Sequence, residues 1–263
     1  MTDPATNPAG ITVAVLLSVG RHPASGRARR APTDAQALEL AFALAQGGQV
    51  HALHAGDPAN PALRDYLGMG LERLMVLAVP DGADPVEPLA AWLRGRRPTV
   101  VLAGCNAEEG EGSGMVPYLV ARALDAAVVP DVVSLRLSGH RAELVQALPR
   151  GQRRALSAAL PLVATVHPAA PAARPFAFGP ARRGRIDMVS MDAPADAFLA
   201  ECETRPCTAR PPRLRVARGG SALDRLKAAT EAKAGKGQLL TNIAPEEAAE
   251  RIYQSLVEQG VVG

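Results

Sequence analysis

The segment 97–124 constrains the fold most, because it has the form of a buried strand followed by a glycine-rich loop and a helix. Residues 100–103 are a short apolar run without polar alternation, which is typical of a parallel strand covered on both faces. We expect the helix to begin at Ser113-Gly114, with its free N–H groups facing an anion such as a nucleotide phosphate. A plain strand-to-helix turn would have the same pattern. Three glycines allow backbone to approach a ligand closely: Gly110, Gly112 and Gly114.

The composition favours a globular protein and argues against a nucleic-acid binder. The chain has 263 residues, of which 48% are apolar but only 3% aromatic, so its core must be built from Ala, Val and Leu. The net charge of +3 comes from arginines scattered along the chain, without the interleaved aromatic residues that stack on bases. We expect no nucleic-acid partner.

Three cysteines, no signal peptide and no long apolar run indicate a soluble cytoplasmic protein. The cysteine number is odd and no CxxC pair occurs, which argues against a disulfide framework or a zinc site. The first residues lack a basic and apolar leader, and no apolar run approaches the roughly 20 residues that a membrane helix needs. The sequence therefore predicts no metal and no membrane insertion.

Strands alternate with helices along the first half of the chain, which predicts a parallel sheet with right-handed crossovers. We predict Asp34 as the cap of the first helix and Gly47-Gly48 as its end. The predicted strands are 11–19, 49–55, 74–79 and 99–104, and the predicted helices are 35–46, 60–67, 85–94 and 114–124.

The second half has a different pattern. Short strands at 132–137, 141–148 and 154–157 predict an antiparallel meander, and a further strand follows at 161–166. The proline-rich stretch 167–180 predicts an extended, mobile arm without regular structure. We further expect a helix within 221–233 and a last helix from 245 to 259. The expected organisation is a flexible tail (1–10), an α/β nucleotide-binding domain (11–168), a docking arm and linker (169–240), and a C-terminal helix (241–263).

Several motifs have both a functional and a plain structural interpretation. The glycine-rich loop lacks GK[ST], so a Walker-type triphosphate loop is excluded. Its three glutamates would repel a polyphosphate unless a metal intervened, so a single phosphate held by backbone N–H groups and the Ser113 hydroxyl fits better; alternatively, the glutamates are merely solvated. Small residues at Ala55-Gly56 leave room for a flat ring where a parallel sheet binds its ligands, although a simple turn is an equal alternative. His51 and His54 point to opposite faces of a strand, and no catalytic set is visible. Phe176 and Phe178 are candidate contacts for a partner, unless they fold back on their own subunit.

Taken in order, these parts resemble the β subunit of electron transfer flavoprotein over residues 11 to about 185 and the final helix. Residues 32–34 with the following AQALELA are similar to the family's NPFDE-IAVEEA, and residues 66–73 are similar to its A-MGADR. Strand 99–104, the acidic loop and Ser113-Gly114 are similar to LVLLGKQAIDDDCNQTG. Residues 150–166 are similar to its GGLETLRLKLPAVVT hairpin, and these last two likenesses together are fairly specific.

The resemblance implies an α/β fold with the parallel sheet of an adenine-nucleotide-binding (HUP/Rossmann-like) protein, an added antiparallel hairpin and an extended C-terminal arm. It implies a heterodimer with an α subunit that carries most of the FAD surface, while this subunit holds a structural AMP and has no catalytic residues. Electrons would pass from a donor flavoprotein dehydrogenase to a quinone oxidoreductase. By position, the resemblance places AMP against Ala14, Ala31, Pro32, Thr33, Asp34, Ala55, Gly104, Cys105, Asn106, Gly110, Gly112, Ser113 and Gly114. It places the dehydrogenase-docking loop at 174–185, with Arg174, Phe176, Phe178, Gly179, Pro180, Arg182 and Arg183.

Departures from the family pattern mark a divergent member. The family's phenylalanine near the flavin is Thr33 here, and residues 16–21 replace its K-R-V-x-D-Y run. The acidic loop is about two residues shorter, and Phe178 stands in for the anchoring leucine of the docking loop. Residues 190–235 match poorly.

Other functions remain as alternatives. A bifurcating subunit would carry FAD in place of AMP. An ATP-using enzyme of similar fold would need a basic cluster over the phosphates and an SGGxD-like loop, neither of which is visible. A free-standing nucleotide sensor would lack an α partner.

Overall fold

A computed structural model describes residues 11–46, 48–203, 205, 221 and 241–258. In chain order the strands are β1 (Thr12–Leu16), β2 (Val19–Arg21), β3 (Ala28–Arg30), β4 (Gln49–Ala55), β5 (Arg73–Ala78), β6 (Val100–Gly104), β7 (Ala127–Ser138), β8 (Arg141–Ala147), β9 (Arg153–Ala159), β10 (Leu162–Val166) and β11 (Arg185–Ser190). The helices are α1 (Pro32–Ala45), α2 (Leu63–Leu67), α3 (Val86–Arg96), α4 (Val116–Ala123), α5 (Phe178–Arg183), α6 (Ala197–Glu201) and α7 (Pro245–Glu258).

Within the described residues, nine strands form one sheet in the order β11-β5-β4-β1-β6-β10-β7-β8-β9. The strands from β11 to β7 run parallel, and β7, β8 and β9 form the antiparallel meander. Strands β2 and β3 make a separate small antiparallel hairpin. The predicted α/β class with an added antiparallel part is confirmed.

The core lies on both faces of the parallel strands and is built almost wholly from aliphatic side chains. Alternate residues of β1 point to opposite faces, so Val13 and Val15 pack with α1 and α2, while Ala14 and Leu16 pack with α3 and α4. Tyr66 is the one aromatic residue among the largest fully buried side chains of the described core. Small alanines of α1 let that helix pack close to the strands below it.

The predicted start of α1 and the predicted length of the first strand were wrong. Helix α1 begins at Pro32, because proline fits the first turn of a helix, and Asp34 lies inside that turn rather than capping it. Strand β1 stops at Leu16, and the chain then turns out into the hairpin β2–β3 where the sequence indicated a loop.

Helix α4 begins two residues later than the sequence predicted. Gly114 has a φ of 71°, in the left-handed region, so it cannot form part of a right-handed helix. The first helical residues are Val116 and Pro117, and proline has no N–H to offer a ligand.

The segment after β10 is more ordered than the expected mobile arm. Residues 167–177 have no regular structure, but α5 follows within the predicted arm, and β11 then pairs in parallel with β5 along its whole length. The sheet therefore extends beyond residue 168, the expected limit of the nucleotide-binding domain.

The C-terminal helix α7 belongs to a second compact unit that starts at residue 205. It begins at Pro245, as predicted, and its described part ends at Glu258. The expected tail at 1–10 and the expected helix within 221–233 lie outside the described residues. In the part of the chain that the structure describes, no helix has the length and apolarity to span a membrane.

Candidate nucleotide site

Strand β1 lies at the topological switch point of the sheet, where the order in which strands are added reverses. The chain passes from β1 to β4 and β5 on one side, and then returns to β6 on the other side of β1. In open parallel sheets, ligands bind in the crevice at the carboxyl ends of the strands at this switch point. Two segments border the crevice: residues 17–31, which include the hairpin β2–β3, and the loop 105–115 after β6.

Asp34 forms the floor of this crevice. Its Oδ2 accepts hydrogen bonds from the amide of Ser18 (2.6 Å) and from the Ser18 hydroxyl (2.5 Å), and its Oδ1 accepts one from the amide of Gly104 (2.7 Å). The side chain is only 4% exposed, and burial raises the pKa of the carboxyl, against the lowering effect of these hydrogen bonds. Asp34 therefore joins the ends of β1 and β6 to the first turn of α1.

Two glycines let side chains pack directly against the backbone at the ends of β1 and β6. A Cβ at Gly104 would collide with the side chains of Thr33 and Asp34, and a Cβ at Gly20 would collide with Glu108. A larger residue at either position would therefore disturb the packing of these side chains.

Tyr66 fixes both ends of the segment that contains the hairpin. Its hydroxyl donates to the carbonyl of Ser18 (2.7 Å) and accepts from the amide of Ala31 (2.9 Å). The ring is fully buried, and burial raises the pKa of the phenol well above its usual value. The sequence did not single out Ser18 or Tyr66 for this role, because they lie 48 residues apart and no local pattern connects them.

The acidic loop is paired with the arginines of the hairpin rather than solvated. Glu108 binds the Arg29 guanidinium through both carboxylate oxygens, and Glu109 binds Arg21 at 2.7 Å. These contacts neutralise carboxylates that would otherwise repel a phosphate in the crevice. The alternative that these two glutamates point freely into solvent is wrong.

The residues assigned to AMP fall into three groups by exposure. Four are buried: Ala14, Ala31, Asp34 and Gly104. Four are half-buried at the border of the crevice: Thr33, Ala55, Cys105 and Gly114. Five are exposed: Pro32, Asn106, Gly110, Gly112 and Ser113.

The N-terminus of α4 offers fewer free amides than the sequence indicated. The amides of Tyr118 and Leu119 already donate to the Met115 carbonyl, and the Met115 amide faces the Ser113 hydroxyl at 3.4 Å. Anion binding at this place would therefore depend on the loop backbone and on Ser113 more than on the helix itself.

No reactive group stands out beside the crevice. His54 is buried, its Nδ1 lies 2.9 Å from the Leu17 carbonyl, and burial lowers its pKa. His51 lies on the opposite face and packs against Trp92, as the strand periodicity predicts. Burial raises the pKa of the Cys105 thiol, which disfavours a nucleophilic thiolate. Among the described residues, no group of three potential ligands could hold a metal ion.

Arg174 anchors the proposed docking segment to α1. Its guanidinium binds Glu39 through two hydrogen bonds of 2.7 and 2.8 Å and lies over the ring of Phe42. The hydrogen bonds from Arg174 lower the pKa of Glu39. The backbone carbonyl of Arg174 accepts a hydrogen bond of 3.0 Å from the Arg30 guanidinium. Gln36 holds the same segment further upstream, through the carbonyls of Pro168 and Ala170.

The two phenylalanines of this segment differ in exposure. Phe176 lies against Gly68 and is 47% exposed, whereas Phe178, the first residue of α5, is 71% exposed. Gly179 and Pro180 belong to the same short helix, and both Arg182 and Arg183 are exposed. An exposed aromatic ring beside two cations is a typical protein-binding surface.

Comparison with known proteins identifies the family of this chain. The profile of the electron transfer flavoprotein domain matches residues 24–194. The electron transfer flavoprotein subunit beta of Chromohalobacter salexigens is 42% identical over 257 residues, which cover 96% of each chain. The predicted resemblance is confirmed: this chain belongs to the electron transfer flavoprotein family and is of its β-subunit type.

Proposed function

We propose that this protein pairs with an electron transfer flavoprotein α subunit, holds a structural AMP in the crevice between β1 and β6, and contributes part of the surroundings of an FAD carried mainly by the α subunit. The heterodimer accepts electrons from a flavoprotein dehydrogenase and passes them to a quinone oxidoreductase. It acts in the cytoplasm.

The switch point at the carboxyl ends of β1 and β6 is the observation that best supports nucleotide binding, because open parallel sheets bind their ligands there. Thr33 and Ala55 border the place for the adenosine, and the loop from Cys105 to Gly114 borders the place for the phosphate. A monophosphate fits better than a polyphosphate, because the loop has three glutamates and no lysine.

A structural role for the nucleotide also fits the surrounding side chains. Asp34 and Tyr66 already have their hydrogen bonds within the protein, so they shape the crevice instead of acting on the ligand. The flavin supplies the redox chemistry when it is bound, and this chain contributes shape and partner choice.

The docking role assigned to α5 is supported by the exposure of Phe178 and by the anchoring of the segment that precedes α5. Arg174 does not need to contact the dehydrogenase, because its charge is engaged by Glu39. We assign Arg174 to holding the segment in place, while Phe178, Arg182 and Arg183 contact the donor.

Co-expression with an electron transfer flavoprotein α subunit from the same organism tests this function. We expect a yellow heterodimer whose flavin is reduced by a flavoprotein dehydrogenase that co-purifies with it. A stable monomer that binds no α subunit would favour the nucleotide-sensing alternative, and ATP turnover by the isolated chain would favour the ATP-using one.

A further inference from the structure

We propose that hairpin β2–β3 and the acidic loop form a latch over the crevice, closed by Arg29–Glu108 and Arg21–Glu109, and that this latch sets how fast the nucleotide leaves. The inference depends on the nucleotide site of the proposed function. It assigns to these four charged residues a role that is separate from nucleotide contact.

The contact at Glu108 is the stronger of the two. The Arg29 Nη2 lies 2.7 Å from Oε1 and the Arg29 Nε lies 3.3 Å from Oε2, so the pair is bidentate. The same Oε2 accepts the backbone amide of Arg21 at 3.1 Å. Both side chains of the pair are about one third exposed. A bidentate geometry with an added backbone hydrogen bond stabilises an ion pair more than a single surface contact does.

The contact at Glu109 is weaker and more exposed. Arg21 reaches Oε1 of Glu109 at 2.7 Å, while its Nη1 donates to the carbonyl of Gly26 in the hairpin turn. The guanidinium is therefore held to its own hairpin through Nη1 and to the loop through Nε. Because its side chain is mostly exposed, salt should screen this pair more than the first.

The two sides of the latch follow the two strands that define the switch point. The hairpin follows β1, and the acidic loop follows β6. The joined segments meet beside Gly20 and Ala31, since a Cβ on Gly20 would contact both Glu108 and the Cα of Ala31.

The hairpin is held at its base, where Val19 is buried in the core and Arg30 donates to Asp65 and to the carbonyl of Arg174. Tyr66 holds Ser18 and Ala31 at its two ends. From Gly20 to Arg29, the hydrogen bonds that join the hairpin to other described parts of the chain go to Glu108 and Glu109. Breaking them frees the tip of the hairpin while its base stays attached, and the core is not disturbed because all four charged side chains lie at the surface.

Release of labelled AMP from the purified heterodimer tests the latch. R29Q should raise the dissociation rate about fivefold, the effect of losing one well-formed surface ion pair. E108Q should raise it by a similar factor, and R29Q/E108Q should be no faster than either single variant, because both changes remove the same contact. R136Q, which removes an exposed arginine on β7, is the matched control and should release AMP at the wild-type rate.

Salt dependence gives a second readout. Raising sodium chloride should speed AMP release from the wild type more than from R29Q/E108Q, since the double variant has lost the pair that salt screens. Equal rates in wild type and R29Q, or additive effects of R29Q and E108Q, would overturn the latch.

Hydrogen exchange separates this inference from the proposed function. The segment 18–31 should exchange its amides faster in E108Q than in wild type, whether or not a nucleotide is bound, because the Arg21 amide loses its charged acceptor. If the heterodimer contains no adenylate, the proposed site is wrong, and unchanged exchange in E108Q would then contradict the latch as well. Faster exchange in E108Q from a heterodimer without adenylate would support the contact between the hairpin and the acidic loop, and would reject only the assignment of AMP as the ligand behind it.

Discussion

The amide of Gly104 donates a hydrogen bond of 2.7 Å to the carboxylate of Asp34, across 70 residues of sequence. This single contact joins the end of β6 to the first turn of α1. Ser18, at the end of β1, donates to the other oxygen of the same carboxylate. The ends of β1 and β6 and the first turn of α1 therefore meet at one buried acceptor.

Asp34→Asn should destabilise the protein, because an amide offers only one acceptor oxygen where three donors converge. Losing hydrogen bonds to a buried carboxylate costs about 1–3 kcal/mol in the free energy of unfolding. Chemical denaturation measures this change. Asp192→Asn, at an exposed position, is the control and should have no effect. Equal stability of the two variants would contradict the role of Asp34.

Tyr66→Phe keeps the ring but removes the hydroxyl that serves Ser18 and Ala31. We expect a loss of about 1–3 kcal/mol in the free energy of unfolding, since a buried amide is left without its partner. Tyr118→Phe is the matched control, because Tyr118 is half-buried and its hydroxyl makes no hydrogen bond among the described residues. Thermal unfolding of both variants checks the prediction, which an unshifted transition in Tyr66→Phe would contradict.

Phe178→Ala should slow electron transfer from the donor dehydrogenase while flavin content stays unchanged. The ring is 71% exposed, so its removal should leave the fold intact. Loss of an exposed aromatic anchor typically weakens a complex by about 2 kcal/mol, or about thirtyfold in affinity. Stopped-flow reduction of the flavin measures the effect. Phe198→Ala, at the similarly exposed ring of α6, is the control, and an unchanged rate in Phe178→Ala would refute the docking assignment.

The Glu39–Arg174 contact should weaken in acid. Arg174 lowers the folded-state pKa of Glu39 below its ordinary value of 4.5, so the stabilisation is fully present above pH 4.5 and is lost as the pH falls through the lowered value. Hydrogen exchange of segment 167–177 should therefore rise in this acid window, after correction for the intrinsic pH dependence of exchange. Glu39→Gln should show raised exchange already at pH 7 and no such transition. A transition that persists in Glu39→Gln would mean that another group is responsible.

Local sequence patterns predicted the helices and strands of the first half well. Strand β4 has the predicted bounds, and β6, β10 and the meander differ from prediction by a few residues. Such elements have strong periodicity, which depends on burial of one or both faces. The start of α4 was placed too early because the left-handed conformation of Gly114 is not visible in the sequence.

Long-range contacts explain what the sequence did not predict. The pairing of Arg29 with Glu108 joins residues 79 apart, and the pairing of Arg174 with Glu39 joins residues 135 apart. Neither leaves a local pattern. Likewise β11 has no strong periodicity of its own, and it forms because β5 offers an open edge to pair with.

Nucleotide released by denaturing the purified heterodimer, identified by mass and quantified by absorbance, tests the central claim most directly. The account predicts one AMP and one FAD for each pair of subunits. Two FAD with no AMP would mean that this subunit belongs to the bifurcating type, and FAD alone at one equivalent would contradict an adenylate in the crevice between β1 and β6.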